Sequence, residues 1–494
     1  MATFIGIDLG TTFSAVANLD DTGRPAIVAN RDGGNITPSV VEFRAEDDVL
    51  VGEEPRKSLF ISENAIGRFK REMGGSKTYE VDGRSYTPTD LSALVLKKLK
   101  QDAEAALGPI DSAVVTIPAN FANEARDATL AAAKQAGLEI NHIVNEPTAA
   151  ALYYAYKSGD ELSGTYAVYD LGGGTFDISI IRVEGQDVEI LAANGVHRCG
   201  GDDFDRALHA LISAKYKSTV GEDLDSADFS VNDAEEEKKS LSRRDKVIVR
   251  VARQNIEITR IEFEESISSL ITQARLATES TIDEVDLSAN KLTGVFLVGG
   301  STRIPAVERS VRGIFGKDPI STANVDEVVA LGAAVYAAYK GDRSKLNAIQ
   351  KKTIEQIKVD ERTAMCFGTI AFDTQRNESY NSVIIEKNHK IPCSVTEPYY
   401  TLSDDQTAVD ISITESRAPE KDPTFVKVIQ KGELKLPEGR PAGQEIKVTY
   451  SFDDNQIMHC KFLDTASGRE EVFALSMTQN SEPIESEIDK FTVE

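Results

Sequence analysis

The chain is poor in the residues that build covalent staples and metal sites. Its four cysteines, Cys199, Cys366, Cys393 and Cys460, stand far apart with no Cys-x-x-Cys pair, and its five histidines have no metal-type spacing. No protein-built metal site is expected, and the thiols suit a reducing compartment, packed as small apolar groups. Positive charge is scarce too: 55 lysines and arginines face 80 aspartates and glutamates, a net charge of −25. A surface of that sign repels nucleic acid and anionic membranes and favours solubility. No uncharged apolar run reaches the roughly 18 residues of a membrane span, and Asp8 interrupts the N-terminus before a signal-type run can form. The expectation is a cytoplasmic monomer without nucleic-acid or membrane partners. What remains is ordinary globular composition, 41% hydrophobic and 27% charged, in 494 residues, which allows about three compact units.

A loose internal repeat organises the first part. Ile5-Gly6-Ile7-Asp8-Leu9-Gly10-Thr11-Thr12-Phe13 returns as Ala167-Val168-Tyr169-Asp170-Leu171-Gly172-Gly173-Gly174-Thr175-Phe176. In both copies an apolar strand ends in Asp-Leu-Gly, turns through Gly and Thr, and re-enters a strand of period two, which predicts a β-hairpin. A strand over 113–117 precedes a helix from Asn123, read as its N-cap, to Ala136, with Gly137 at C′. A strand over 141–144 leads to an Ala-rich helix opened by Glu146-Pro147-Thr148. The second copy continues with a strand over 294–298, a helix from Pro305 carrying Val307, Val311 and Ile314, and another from near Asp326 through Gly332-Ala333-Ala334. Small residues on these late helices permit close packing. Two lobes facing one cleft are therefore expected over 1–340.

Composition shifts after Gly341. Residues 341–361 are polar and Lys-rich and read as a linker. Short alternating segments separated by Pro, Asp and Gly over 362–480 read as a β-sandwich. Residues 481–494 are acidic and expected to be loose.

Three Gly-rich elements point to a nucleotide. Gly10-Thr11-Thr12 and Gly172-Gly173-Gly174-Thr175 can bring backbone N–H groups and hydroxyls against phosphate oxygens, because no Cβ blocks the approach. Gly299-Gly300-Ser301-Thr302-Arg303 could cover ribose and base. A lone glycine turn is more often a bland hairpin; the ordered set of three reverses that weighting. Asp8 and Asp170 each close a strand before a phosphate turn and would face one another around a hydrated Mg²⁺. An Asx-turn would explain one such aspartate but not two symmetric ones. Glu146 and Asp177 are further carboxylates bordering the cleft.

The order of four strings, Asp8-Leu9-Gly10-Thr11-Thr12, Asn145-Glu146-Pro147-Thr148, Asp170 to Asp177 and Gly299 to Pro305, closely resembles the heat shock protein 70 chaperones of the DnaK type. The resemblance implies an α/β fold: a duplicated, actin-like (ribonuclease H-like) two-lobe ATPase domain followed by an all-β sandwich that binds peptide. It implies ATP or ADP with Mg²⁺ bound through water by Asp8 and Asp170, and Thr11, Thr12 and Thr175 on phosphates. Lys70 would hold the attacking water, Glu146 would help position water or metal, and Asp177 would accept a proton or hydrogen bond. Glu235, Lys238, Lys239 and Ser242 match the nucleoside-binding helix; without the resemblance that run is as readily a solvated helix face. Gly299, Gly300, Ser301, Arg303 and Asp326 complete the nucleotide set. Pro118 and Arg126 match residues that relay nucleotide state. Val409 matches the central peptide pocket, with Tyr399, Leu402 and Ile411 beside it; otherwise all four would be core.

Some features depart from that pattern. Lys70 to Pro118 and Asp205 to Phe263 are shorter than usual, as in compact bacterial members of the HscC type, which puts the surfaces that receive a nucleotide exchange factor in question. The leucine-rich linker is reduced to Ile357-Lys358-Val359-Asp360. His142 stands where an arginine helps recruit J-domain cochaperones. The sequence stops near the end of the sandwich, so no helical lid is expected within these residues. The function expected is an ATP-hydrolysing chaperone for extended apolar segments of unfolded proteins. The alternatives are a low-turnover nucleotide-gated holdase, exchange factor or scaffold, a small-molecule kinase, and, last, an actin-like filament.

Overall fold

In the computed structural model the hairpins form as their period-two patterns require. Phe4–Asp8 pairs antiparallel with Phe13–Leu19, and Asp8 lies opposite Ala15. Ser112–Ile117 runs parallel on the other side of Phe4–Asp8, and Ile140–Asn145 runs parallel beyond it. The second half repeats this arrangement. Ser163–Leu171 pairs antiparallel with Thr175–Glu184, setting Asp170 opposite Asp177, while Gly294–Val298 runs parallel on its far side. Parallel neighbours need crossover segments: the helix Asn123–Gln135 carries the chain from Ser112–Ile117 to Ile140–Asn145, and the helix Glu146–Ser158 leads on from there to the second sheet. Asp8 and Asp170 thus sit at the carboxyl ends of equivalent strands, where open α/β sheets bind ligands. The structure describes residues 3–494 except 46–47, 60, 159–161, 185–186, 226, 252, 322–323, 356–357, 364, 454–456, 476–487 and 489–490.

The helix Val328–Lys340 is apolar around nearly its whole circumference and almost entirely buried, as a helix enclosed by other elements must be. It packs on Phe4–Asp8 and on Glu146–Ser158. The small residues are obligatory there. A Cβ on Gly332 would lie 1.7 Å from the Ala149 carbonyl oxygen, and one on Gly6 would lie 2.1 Å from the Ala334 nitrogen. The helix starts at Val328, leaving Asp326 in the preceding turn. At the helix Asn123–Gln135 the N-cap is Ala122, not Asn123, and no side chain caps that end. Gly137 takes φ +68, as its C′ position requires.

The chain divides into two units, residues 1–359 with 483–494, and residues 360–482. Part of the stretch read as linker belongs to the first unit's interior. Within Ala348–Ile354, Ile354 is buried and the Gln350 amide donates to the carbonyls of Leu19 at 2.9 Å and Asp20 at 3.1 Å. Ile357 lies outside the described residues. The segment expected to be loose is not loose where it is described: Thr492–Val493 runs parallel to Asp48–Val51, and Ile488, Phe491 and Val493 are buried. Burial of these three apolar side chains outweighs the acidic composition around them.

In the second unit two antiparallel four-stranded sheets enclose a core of Phe367, Ile385, Ile413, Val448, Tyr450 and Phe462, among others. One sheet runs Glu378–Ile385, Cys366–Asp373, Ala408–Ser416, Lys427–Lys435. The other runs Cys393–Tyr400, Glu445–Phe452, Met458–Asp464, Glu470–Leu475. Among the described residues no helix follows these strands, and none is long and apolar enough to cross a membrane.

Candidate functional site

The two hairpin turns meet. A Cβ on Gly173 would fall 2.0 Å from Thr12 Oγ1, and one on Gly174 would fall 2.4 Å from Thr11 Cγ2. Only glycines allow this approach of one half to the other. The third glycine element closes on the same place: Gly299 (φ +82) would put a Cβ 2.7 Å from Asp170 Oδ1, and Ser301 Oγ donates to the Gly172 carbonyl at 2.9 Å. Around these turns opens a cleft of about 720 Å³.

The cleft gathers most of the residues singled out from the sequence. Asp8, Gly10, Thr11, Thr12, Lys70, Pro118, Glu146, Asp170, Gly172, Gly173, Gly174, Thr175 and Asp177 line it, with Glu235, Lys238, Lys239, Ser242, Gly299, Gly300, Ser301, Arg303 and Asp326. Arg126 does not: it is buried in the helix Asn123–Gln135, away from the lining. Tyr399, Leu402, Val409 and Ile411 belong to the second unit. Of these, Leu402 is exposed and Val409 half-buried, while the Tyr399 hydroxyl donates to Ser382 Oγ at 2.9 Å. Ile411, expected beside the peptide pocket, is only 1% exposed and is a core residue. It shares the inward face of its strand with Val409 but lies deeper in the core.

The floor of the cleft is electrostatically unbalanced. Four carboxylates, Asp8, Glu146, Asp170 and Asp177, surround Lys70, whose Nζ donates to Glu146 Oε1 at 2.7 Å. Burial first, then the charge of Glu146, pushes Asp8 up to about 7, against the Thr116 hydroxyl that donates to it at 2.9 Å. Asp177 rises to about 7 for the same two reasons, and Asp170 lies well above the ordinary carboxylate range through burial, Glu146 and Asp177. Burial alone would lower the Lys70 ammonium, but Glu146 and Asp8 more than offset it, so it is held above its ordinary value. Such a cluster is incomplete without further positive charge. Among the described residues no group of three or more His, Cys, Asp or Glu is placed to bind a metal by itself. The aspartates therefore fit a cation that keeps water and phosphate oxygens as its other ligands. Thr12 Oγ1 is buried without a hydrogen-bond partner among the described residues, and a phosphate oxygen would satisfy it.

The rim carries ion pairs that sequence reasoning missed. Arg56, in Glu53–Ser58, reaches Glu235 Oε2 at 2.6 Å and stacks over the Phe13 ring at 5.0 Å. Burial works against the Glu235 charge, yet Arg56 and Lys239 bring its pKa down to about 2. Lys238 Nζ lies 2.7 Å from Asp205, whose pKa burial still raises to about 7. Asp202 takes two bonds from Arg68, at 2.6 and 2.8 Å, and one from Arg71 at 3.1 Å. The acidic run Asp202-Asp203-Phe204-Asp205 directly after Gly200-Gly201 was the available signal; nothing marked Arg56. Arg303 Nη2 pairs with Asp326 Oδ2 at 3.0 Å, and Ser242 Oγ donates to the Lys238 carbonyl at 3.0 Å.

Comparison with protein families agrees with this geometry: the family model described as Hsp70 protein matches residues 4–494.

Proposed function

Since the chain belongs to the Hsp70 family, whose members are ATP-hydrolysing chaperones, we propose that it hydrolyses ATP in this cleft to control binding and release of extended apolar peptide segments at its β-sandwich. The observation that carries the reading is the meeting of two glycine hairpins, each headed by an aspartate, over a buried lysine.

Thr11, Thr12 and Thr175, with the N–H groups of the glycine turns, bind the phosphates. A Mg²⁺ ion held through water by Asp8 and Asp170 would neutralise phosphate charge. Lys70 orients the attacking water and stabilises charge developing on the γ-phosphate, and Glu146 fixes the lysine's ammonium. Asp177, with its pKa raised to about 7, is suited to take the water's proton near neutral pH. Glu235, Lys238, Lys239 and Ser242 from one side, and Gly299, Gly300, Ser301, Arg303 and Asp326 from the other, hold the nucleoside. Pro118, on the cleft wall, and Arg126, behind it, pass nucleotide state onward.

In the sandwich Val409, Tyr399 and Leu402 receive one apolar side chain, while strand edges bind the peptide backbone. Unfolded polypeptides are the clients; a J-domain cochaperone and a nucleotide exchange factor are the partners that the family implies. Single-turnover hydrolysis with and without an apolar peptide tests the reading. Peptide should raise the rate several-fold, and Val409→Asp should remove that stimulation while sparing the basal rate. A rate indifferent to peptide would instead favour a nucleotide-gated scaffold.

A further inference from the structure

The strand Asp48–Val51 borders a small sheet in the order Asp48–Val51, Val40–Ala45, Ala65–Gly67, and its free edge is covered by Thr492–Val493. Exposed strand edges invite another strand, and this one has a specific occupant. Val493 lies opposite Val49; the Glu494 N–H donates to the Val49 carbonyl and the Val51 N–H to the Glu494 carbonyl, both at 3.0 Å. Phe491 sits edge-on to Phe43 with ring centres 5.8 Å apart and beside Tyr86 at 6.2 Å. Lys97 Nζ donates to the carbonyls of Ile488 at 3.2 Å and Phe491 at 3.0 Å. Phe491 and Val493 are two apart, so both side chains point inward from one extended segment while Thr492 points out.

We propose that this edge, with its Phe43–Tyr86 notch and Lys97, is a strand-docking site for an extended peptide of the pattern aromatic-x-β-branched, and that its resident is this chain's own segment 491–494, acting as a releasable strap. The chain that leaves the first unit after Val359 thereby contributes its residues 491–494 to that unit again. A parallel ladder of two residue pairs opens more readily than the unit unfolds. The docked strap also steadies the cleft rim. Asp48–Val51 passes through Gly52 straight into Glu53–Ser58, the helix that carries Arg56 to Glu235.

Amide hydrogen exchange on the full chain tests this. In the unaltered protein the Val51 and Glu494 amides should exchange at least about tenfold faster than the Val115 amide of the central strand, through local opening. Equal rates would mean that the segment leaves only on unfolding, and would overturn the strap. In the variant Phe491→Ala with Val493→Asp, Val51 should lose its remaining protection and the amides of residues 56–59 should exchange several-fold faster, whereas Thr492→Ala should change neither. A labelled peptide of residues 486–494 should bind that double variant and restore Val51 protection. Unchanged exchange at Val51 in the double variant would refute docking, and unchanged exchange at residues 56–59 would refute the link to the rim.

Discussion

Replacing Lys70 by alanine is expected to slow ATP hydrolysis by about 100- to 1,000-fold while weakening ATP binding much less, the range found when one preorganised charge-stabilising donor is removed. Lys70 is buried, its ammonium is fixed by Glu146 at 2.7 Å, and its charge opposes the upward shifts of Asp8, Asp170 and Asp177. The variant leaves a cluster of carboxylates with nothing nearby to balance it, so those groups take up protons at neutral pH and the water loses its guide. A single-turnover measurement separates the hydrolytic step from binding and release. Hydrolysis as fast as in the unaltered chain would remove Lys70 from the mechanism.

The second large effect comes from one methyl group. In Gly173→Ala the new Cβ would collide with Thr12 Oγ1 at 2.0 Å, whereas in Gly172→Ala the nearest atom, the Thr175 carbonyl oxygen, is 3.9 Å away. The first change forces the two hairpins apart; the second is ordinary van der Waals contact. Overpacking of this kind costs about 1–3 kcal/mol, so ATP affinity should fall roughly 10- to 100-fold for Gly173→Ala. Gly172→Ala should stay within about threefold. The pair of adjacent alanines, compared by equilibrium nucleotide binding, distinguishes contact between the halves from a general intolerance of side chains in the turn. Equal affinities would show that the halves do not meet there in solution.

Much of the cleft was legible because its signals are local. A strand that ends in Asp-Leu-Gly and restarts after Thr needs only a dozen residues to be seen, and its repetition at Asp170 turns two weak motifs into one site. The close helix pair was legible for a similar reason, since Gly332-Ala333-Ala334 has no purpose on an isolated helix. What stayed hidden depends on partners far along the chain. Arg56 and Glu235, or Arg68 and Asp202, are unremarkable until the fold sets them within 2.6 Å. Ile411 shows the converse: the resemblance puts it beside a pocket, but it lies deeper in the sandwich than Val409 on the same face of its strand, and depth along a strand cannot be read from alternation. The segment around Phe491 was misread because acidic composition masks a two-residue apolar beat, and because its binding edge lies some four hundred residues upstream in Asp48–Val51.

The whole account rests on a triphosphate held between the two halves, and calorimetric titration of the full chain with ATP and magnesium ions examines that directly. Saturable uptake of one nucleotide per chain is expected, weakened both by Asp8→Asn and by Asp170→Asn, because each half supplies one of the facing carboxylates. Absence of binding heat across a range of temperatures, or affinity lost with one aspartate and untouched by the other, would contradict it.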